Sequence, residues 1–425
     1  MGFPWGAVLL QIVMVFLQGL QDPDFLAIAL IVIALIWLLY QRLQKTREAL
    51  FGVRDSTLRL VLTSLGYGIA GGLLGSVLMV VLGISISGPG ILYLWVLAVL
   101  LMLVNPRFLC FSYAGGLLAL FSLFTGYPKL NIPALMGLVA VLHLVESALI
   151  LGSGHSGPLP VYVRNRFGRV VGAFNLQKFW PVPLAIISVV VGQQVSTGGA
   201  QIPMPGWWPL MGALPVGAAL GSVVAALGYG ELAVTCLPRE RVRVTSLHLA
   251  IFSLVLLGLA VLAAHVPQTA VLAALFAPLG HEVVIHAGQR SELQGPPRFV
   301  PPARGVMVLD VRKASPSHEA GLRSGDVILR IGDLPVNTRA ELTSALEISG
   351  SSFEVEYRQE SVAGYPLRRA RVAVDPNALS GRVSSGRGLF GVLTVPEPGD
   401  LPTVDITMDG PLQRFARRLF GARGR

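Results

Sequence analysis

Charge and cysteine are what this chain has least of. Only 13% of its 425 residues are Asp, Glu, Lys or Arg, against 53% hydrophobic, where soluble domains carry roughly 25% charged residues. So little charge excludes an ordinary soluble globular protein and a disordered chain, and calls for apolar helices in a membrane. The two cysteines, Cys110 and Cys236, cannot build a disulfide framework, and both fall in or beside apolar stretches without metal-ligand spacing. They read as packing residues, and no metal ligand is expected. No Lys or Arg precedes Arg42, so the opening stretch lacks the basic segment of a cleavable signal peptide and is expected to be retained. Gly-rich phosphate loops, nucleophile elbows and paired carboxylates are missing too, so no catalytic residue and no cofactor are expected. The net charge of +10 resides largely in loops between apolar stretches and in the C-terminal part. Membrane orientation and anionic lipid account for it there, and no nucleic-acid partner is expected.

What the chain has in abundance is apolar sequence. A helix crossing the hydrocarbon core needs about 20 mostly apolar residues, and candidates fall at 5–20, 24–40, 60–83, 90–104, 108–125, 132–152, 180–195, 208–236, 246–264 and 268–287. The pattern predicts an α-helical polytopic membrane domain of about ten helices over residues 1–290, the first short enough to lie in the interface instead. Basic residues follow the even-numbered segments: Arg42, Lys45, Arg47, Arg54 and Arg59, then Arg107, then Arg164, Arg166, Arg169 and Lys178, then Arg239, Arg241 and Arg243. The loops near 84–89, 196–207 and 265–268 carry none. The positive-inside rule then puts both termini in the cytoplasm of a multi-pass plasma-membrane protein. Gly68 with Gly72, Gly71 with Gly75, and Gly217 with Gly221 form small-xxx-small faces expected to bring helices together, within one chain or between two.

Ionisable groups in such segments need a reason. His143 and Glu146 share a helix face, Glu231 ends the eighth segment, and His281, Glu282 and His286 end the tenth, where all the acids form one polar layer near the cytoplasmic boundary. Pairing with nearby Arg and backbone is one reading; a proton or ion site is the other. The run His281-Glu-Val-Val-Ile-His286 suggests a zinc protease, but that site needs histidines at i and i+4. At i and i+5 the second is rotated about 140° from the first.

From Arg304 the period becomes that of short strands and turns. Val306–Val311 reads as a strand, 317–322 as a short helix closed by Gly321, and Val327–Ile331 as a strand after the Gly325-Asp326 turn. Thr338-Arg-Ala-Glu341 is a capping box opening a helix to about Ile348, with Leu342, Ala345 and Leu346 on its apolar side. Strands follow near Phe353–Tyr357 and Leu367–Val374. With Ala320-Gly-Leu-x-x-Gly-Asp-Val-Ile328, this order resembles the PDZ domain in its bacterial form, a small α+β domain, over 304–376. The resemblance implies binding of an extended peptide, often the C-terminus of a protein partner, as an added strand beside the long helix. One departure matters. The stretch before the first strand, a proline-rich linker over 291–303, is too short to hold the usual loop and peptide-receiving strand. Gly386-Arg-Gly-Leu-Phe-Gly-Val-Leu-Thr-Val395, in the basic tail 377–425, looks like that missing piece. The expectation is that 388–395 completes the groove, with Leu389, Phe390, Gly391, Val392, Leu342 and Leu346 as peptide-binding residues. Leu412, Phe415 and Leu419 with Arg414, Arg417 and Arg418 suggest a short basic helix suited to a lipid surface.

A multi-spanning half, one C-terminal PDZ domain and no catalytic motif together resemble the MinJ-like division-topology proteins. That resemblance implies an adaptor, not an enzyme, joining a DivIVA-type scaffold to a MinD-type ATPase at the membrane. A transporter or channel with a regulatory PDZ domain, and an accessory of an intramembrane protease, remain as other readings.

Overall fold

The computed structural model describes residues 2–51, 56–86, 88–105, 108, 110–189, 203–214, 217–359, 364–373 and 390–403. Six helices come first: α1 (Trp5–Gly19), α2 (Pro23–Phe51), α3 (Thr57–Leu82), α4 (Gly88–Val104), α5 (Phe111–Thr125) and α6 (Ile132–Ser153). Two more, α7 (Pro238–His265) and α8 (Ala270–Gln294), follow a sheet. Five of these helical segments are long and apolar enough to cross a membrane, and α1, α4 and α5 are shorter apolar helices. Helix α6 is the hub. Asn131 caps its start, accepting from the Ala134 N–H at 3.1 Å, and it is apolar on every face, so it can be stable only when surrounded by protein or lipid. Here protein surrounds it: Val139, Ala140, Val141 and Val145 are fully buried.

Between α6 and α7 the expected seventh and eighth helices are absent among the described residues. The chain instead forms β1 (Leu159–Arg164), β2 (Val170–Val189) and β3 (Ala218–Ala233), an antiparallel sheet in the order β1-β2-β3. Composition makes both segments apolar, but Pro181 and Pro183 would each remove a helical hydrogen bond, and Ile186, Ile187 and Val189 are β-branched. Gly221, Gly228 and Gly230 weaken any helix over 218–233 through the backbone entropy that glycine loses on ordering. Replacing two helical passes by a hairpin returns the chain to the end it left. The β1–β2 turn with Arg164, Arg166 and Arg169 lies at the same end as the start of α7, while Ile187 bridges Ser85 at the other.

The outer edge of β2 is closed by α3. Residues 64, 68, 72 and 76 of the helix lie along residues 179, 181, 183 and 185 of the strand. Four residues of helix rise about 6 Å and two residues of strand about 6.6 Å, so the two ladders stay in step over three repeats. Ser64 Oγ donates to the Phe179 carbonyl, and Tyr40 O–H accepts from the Phe179 N–H at 3.4 Å. Ser76 Oγ accepts from the Ala185 N–H at 2.8 Å. Pro181 and Pro183 have no N–H to satisfy. Their carbonyls point at Gly68 and Gly72, occupying the positions where a Cβ would stand, so the glycine Cα–H groups face them. The expected glycine faces are thus used within the chain, but Gly68 and Gly72 meet a strand where a helix was expected. Gly71 and Gly75 pack on Val145 and Leu149 of α6 and Leu184 of β2. Gly221 sits in β3 and Gly217, at φ 78°, just before it, so that pair forms no helical face.

The C-terminal domain has β4 (Val306–Val311), α9 (Pro316–Glu319), β5 (Val327–Ile331), β6 (Leu334–Pro335), α10 (Arg339–Ile348), β7 (Ser352–Arg358), β8 (Leu367–Ala373) and β9 (Val392–Thr394). Its sheet runs β8-β7-β5-β4-β9, with β6 paired to β5. The basic segment at 411–420 lies outside the described residues.

Gly68→Ala and Gly72→Ala should each unfold the apolar half or lower its thermal midpoint in detergent by well over 10 °C. Gly66→Ala, whose added Cβ meets nothing within 4 Å, should be neutral or gain up to about 1 kcal/mol. Equal midpoints for the Gly66 and Gly72 variants would refute this packing.

Candidate functional site

The C-terminal domain is held by its turn chemistry. Ser315 Oγ accepts from the His318 N–H at 3.3 Å and donates to the Arg312 carbonyl at 2.7 Å, capping α9. Asp326 is fully buried and accepts from the Arg323 N–H at 2.9 Å. Ser317, also fully buried, donates to the Phe390 carbonyl at 2.6 Å, and the Arg312 N–H donates to the Gly391 carbonyl at 2.8 Å. These two bonds fasten the 390–394 segment to the loop after β4. Gly391 has φ 79°, and a Cβ there would collide with Ser315, so only glycine fits the turn. Phe390 is 2% exposed and its ring lies 6.0 Å from that of Phe353.

β9 pairs antiparallel with β4, Val308 with Thr394 and Val311 with Val392, and is the last strand on that side of the sheet. Among the described residues no strand pairs with its outer edge. Helix α10 stands beside its C-terminal end, joined to it by Arg339. That guanidinium donates to Thr394 Oγ1 at 3.1 Å and to the Val395 carbonyl at 3.4 Å, and forms an ion pair with Asp400. Glu397 accepts from the Arg339 N–H at 2.5 Å, placing an anion at the first turn of α10, where the helix dipole favours it.

The sequence-predicted peptide-binding residues divide by direction. Phe390, Val392 and Leu342 face the domain core, so none of these three side chains is presented to a ligand. Leu346 is half-buried at the core's margin, and Leu389 lies outside the described residues. The Arg339–Glu397–Asp400 clamp was missed. Its sequence signal is slight, since Glu397 and Asp400 are two of four acids in the tail, with Asp405 and Asp409.

This domain rests on the hairpin's base. Phe299, fully buried, accepts through its carbonyl from the Gly172 N–H at 2.9 Å, and its ring lies 5.3 Å from that of Phe174. Tyr162 of β1 donates from its hydroxyl to the Thr394 carbonyl at 2.8 Å, and its N–H donates to Thr403 Oγ1 at 2.8 Å. The proline-rich stretch after α8 is therefore packed at Phe299.

The polar residues of the apolar half form separate groups. Glu231 accepts from Thr245 Oγ1 at 2.5 Å and Tyr229 O–H at 2.9 Å, and pairs with Arg241. Arg241, 3% exposed, also reaches Glu292 at 3.5 Å, and Glu292 accepts from the Val234 and Thr235 N–H groups at 2.6 and 2.8 Å. β3, α7 and α8 are thereby tied at one end. Glu282 pairs with the exposed His286 at 3.0 Å and accepts from the Tyr113 hydroxyl. His143 and His281 come together with Cys110 from three helices, and Glu146 follows one turn after His143. The single polar layer expected of these acids is thus several distinct sets.

Long apolar helices followed by this small domain define a membrane protein carrying a PDZ domain, and the PDZ domain pattern matches residues 282–358. The match begins in α8 and stops at the end of β7, so β8 and β9 lie beyond it. The chain is similar to "Cell division topological determinant MinJ" of Bacillus subtilis (strain 168), 23% identical over 239 residues that cover 54% of this chain and 58% of that protein. It thus spans a little over half the length of this curated relative.

Removing Arg241 leaves two carboxylates without their cation. Arg241→Ala should cost about 3–5 kcal/mol, read as a lowered denaturation midpoint in detergent. A shift under about 1 kcal/mol would make the network incidental.

Proposed function

We propose that this chain is a membrane-anchored PDZ adaptor that recruits protein partners to the cytoplasmic face of a bacterial membrane in placing the division site. The observation that carries the reading is the edge of β9. Among the described residues no strand pairs with that edge, which lies beside α10 and can offer backbone hydrogen-bonding groups to an extended peptide; strand addition of this kind draws affinity from the main chain and specificity from side-chain pockets. The 388–395 segment completes the groove, and Leu346 on α10 contributes to its apolar side. The apolar half is multi-pass, with both termini cytoplasmic. The hairpin preserves the sidedness that loop charges assign, because it enters and leaves at the end holding the basic turns. By similarity to the division-topology protein, the partners are a DivIVA-type scaffold and a MinD-type ATPase, and membrane lipid is the anchor. The role is non-enzymatic.

A fluorescent fusion of the chain should concentrate at septa or poles; uniform membrane fluorescence at native expression would count against the adaptor. Full-length chain cut after residue 376 should stay in the membrane and lose capture of peptide partners by at least about tenfold, about 1.4 kcal/mol. Capture at undiminished affinity by the truncated chain would show that the groove lies elsewhere.

A further inference from the structure

Cys110, His143 and His281 each present a metal-ligating atom, and all three atoms lie within 4.8 Å of one another. Cys110 caps the start of α5, His143 sits midway along α6 and His281 midway along α8. Cys110 Sγ is 3.0 Å from His143 Nε2 and 3.6 Å from His281 Nε2. Around a tetrahedral zinc with the usual bond lengths, sulfur and nitrogen ligands stand about 3.5 Å apart. One separation therefore already matches, and the other opens by roughly half an ångström on binding.

The surroundings are those of a built site. His143 Nδ1 lies 2.7 Å from the Val139 carbonyl. Donation there fixes the tautomer and leaves the Nε2 lone pair aimed at Cys110, the outer-shell arrangement usual for metal-bound imidazoles. The Phe252 ring stands 5.5 Å from His143 and 5.6 Å from His281, edge to face with both, and excludes water on that side. Ser112 Oγ donates to the Ala277 carbonyl at 2.6 Å, locking α5 to α8 one turn before His281. One thiolate and two neutral imidazoles leave a divalent ion with a net charge of +1. Glu146 lies one turn along α6 from His143.

We propose that Cys110, His143 and His281 form a binding site for a zinc-class transition-metal ion, with a fourth position open. A soft thiolate with two imidazoles suits zinc over magnesium or calcium, which prefer oxygen. Binding displaces the Cys110 thiol proton to solvent as the sulfur–metal bond forms. The ion ties α5 and α6 to α8, the helix that leads into the PDZ domain.

The test uses the full chain in detergent, stripped with chelator and titrated with Co2+. One equivalent should give a thiolate-to-cobalt charge-transfer band that one equivalent of Zn2+ removes. Cys110→Ser should abolish the band, and His143→Ala or His281→Ala should weaken Zn2+ binding by at least about tenfold. His286→Ala should leave both unchanged, since that exposed side chain pairs with Glu282. Absence of the band in folded wild-type chain would overturn the site, whatever the variants do. Undiminished Zn2+ affinity in Cys110→Ser would overturn it equally, leaving a hydrogen-bonded thiol–imidazole cluster.

Discussion

A strand edge closed by a helix is the constraint around which the apolar half is organised. Strands normally satisfy their edges with other strands, and an unmet backbone group away from water costs as much as a lost hydrogen bond. β2 avoids that cost by several devices at once. Its edge donors are deleted at Pro181 and Pro183, met by Tyr40 at Phe179 and met by Ser76 at Ala185. Side chains on α3 would hold the helix away from the strand, so Gly68 and Gly72 are as necessary as the prolines. Irregular backbone at such depth is tolerated only when protein encloses it, and α1, α2, α3 and α6 contact the hairpin from several sides.

The same hairpin sets where the PDZ domain sits. Its base carries Tyr162, Gly172 and Phe174, which contact Thr394, Phe299 and Leu309. The domain is therefore not a bead on a string. Tyr162 binds β9 at its last residue, on the strand where peptide recognition is proposed.

How much of this was legible follows from which forces act locally. The capping residues of α10, the Gly325-Asp326 turn and the strands from Val306 to Tyr357 could be read because turn chemistry and alternation act over a few residues. The hairpin was misread because apolar length does not distinguish a buried strand from a helix. The Pro181-x-Pro183 spacing held the correcting signal. Glu231 shows another limit: its partner Arg241 is near in sequence, but Glu292 reaches the pair only through the fold. The Cys110–His143–His281 cluster had no local signature, since its members come from three helices. Phe390 and Val392, expected as peptide-binding residues, turn their side chains toward the core.

The order of the strands along the chain also has a kinetic consequence. β4, β5, β7 and β8 can zip together from neighbouring sequence, whereas β9 must return across the domain to reach β4. Pairings between distant segments form slowly because chain closure precedes any reward. Until β9 arrives, the edge of β4 is bare, and a bare edge recruits strands indiscriminately.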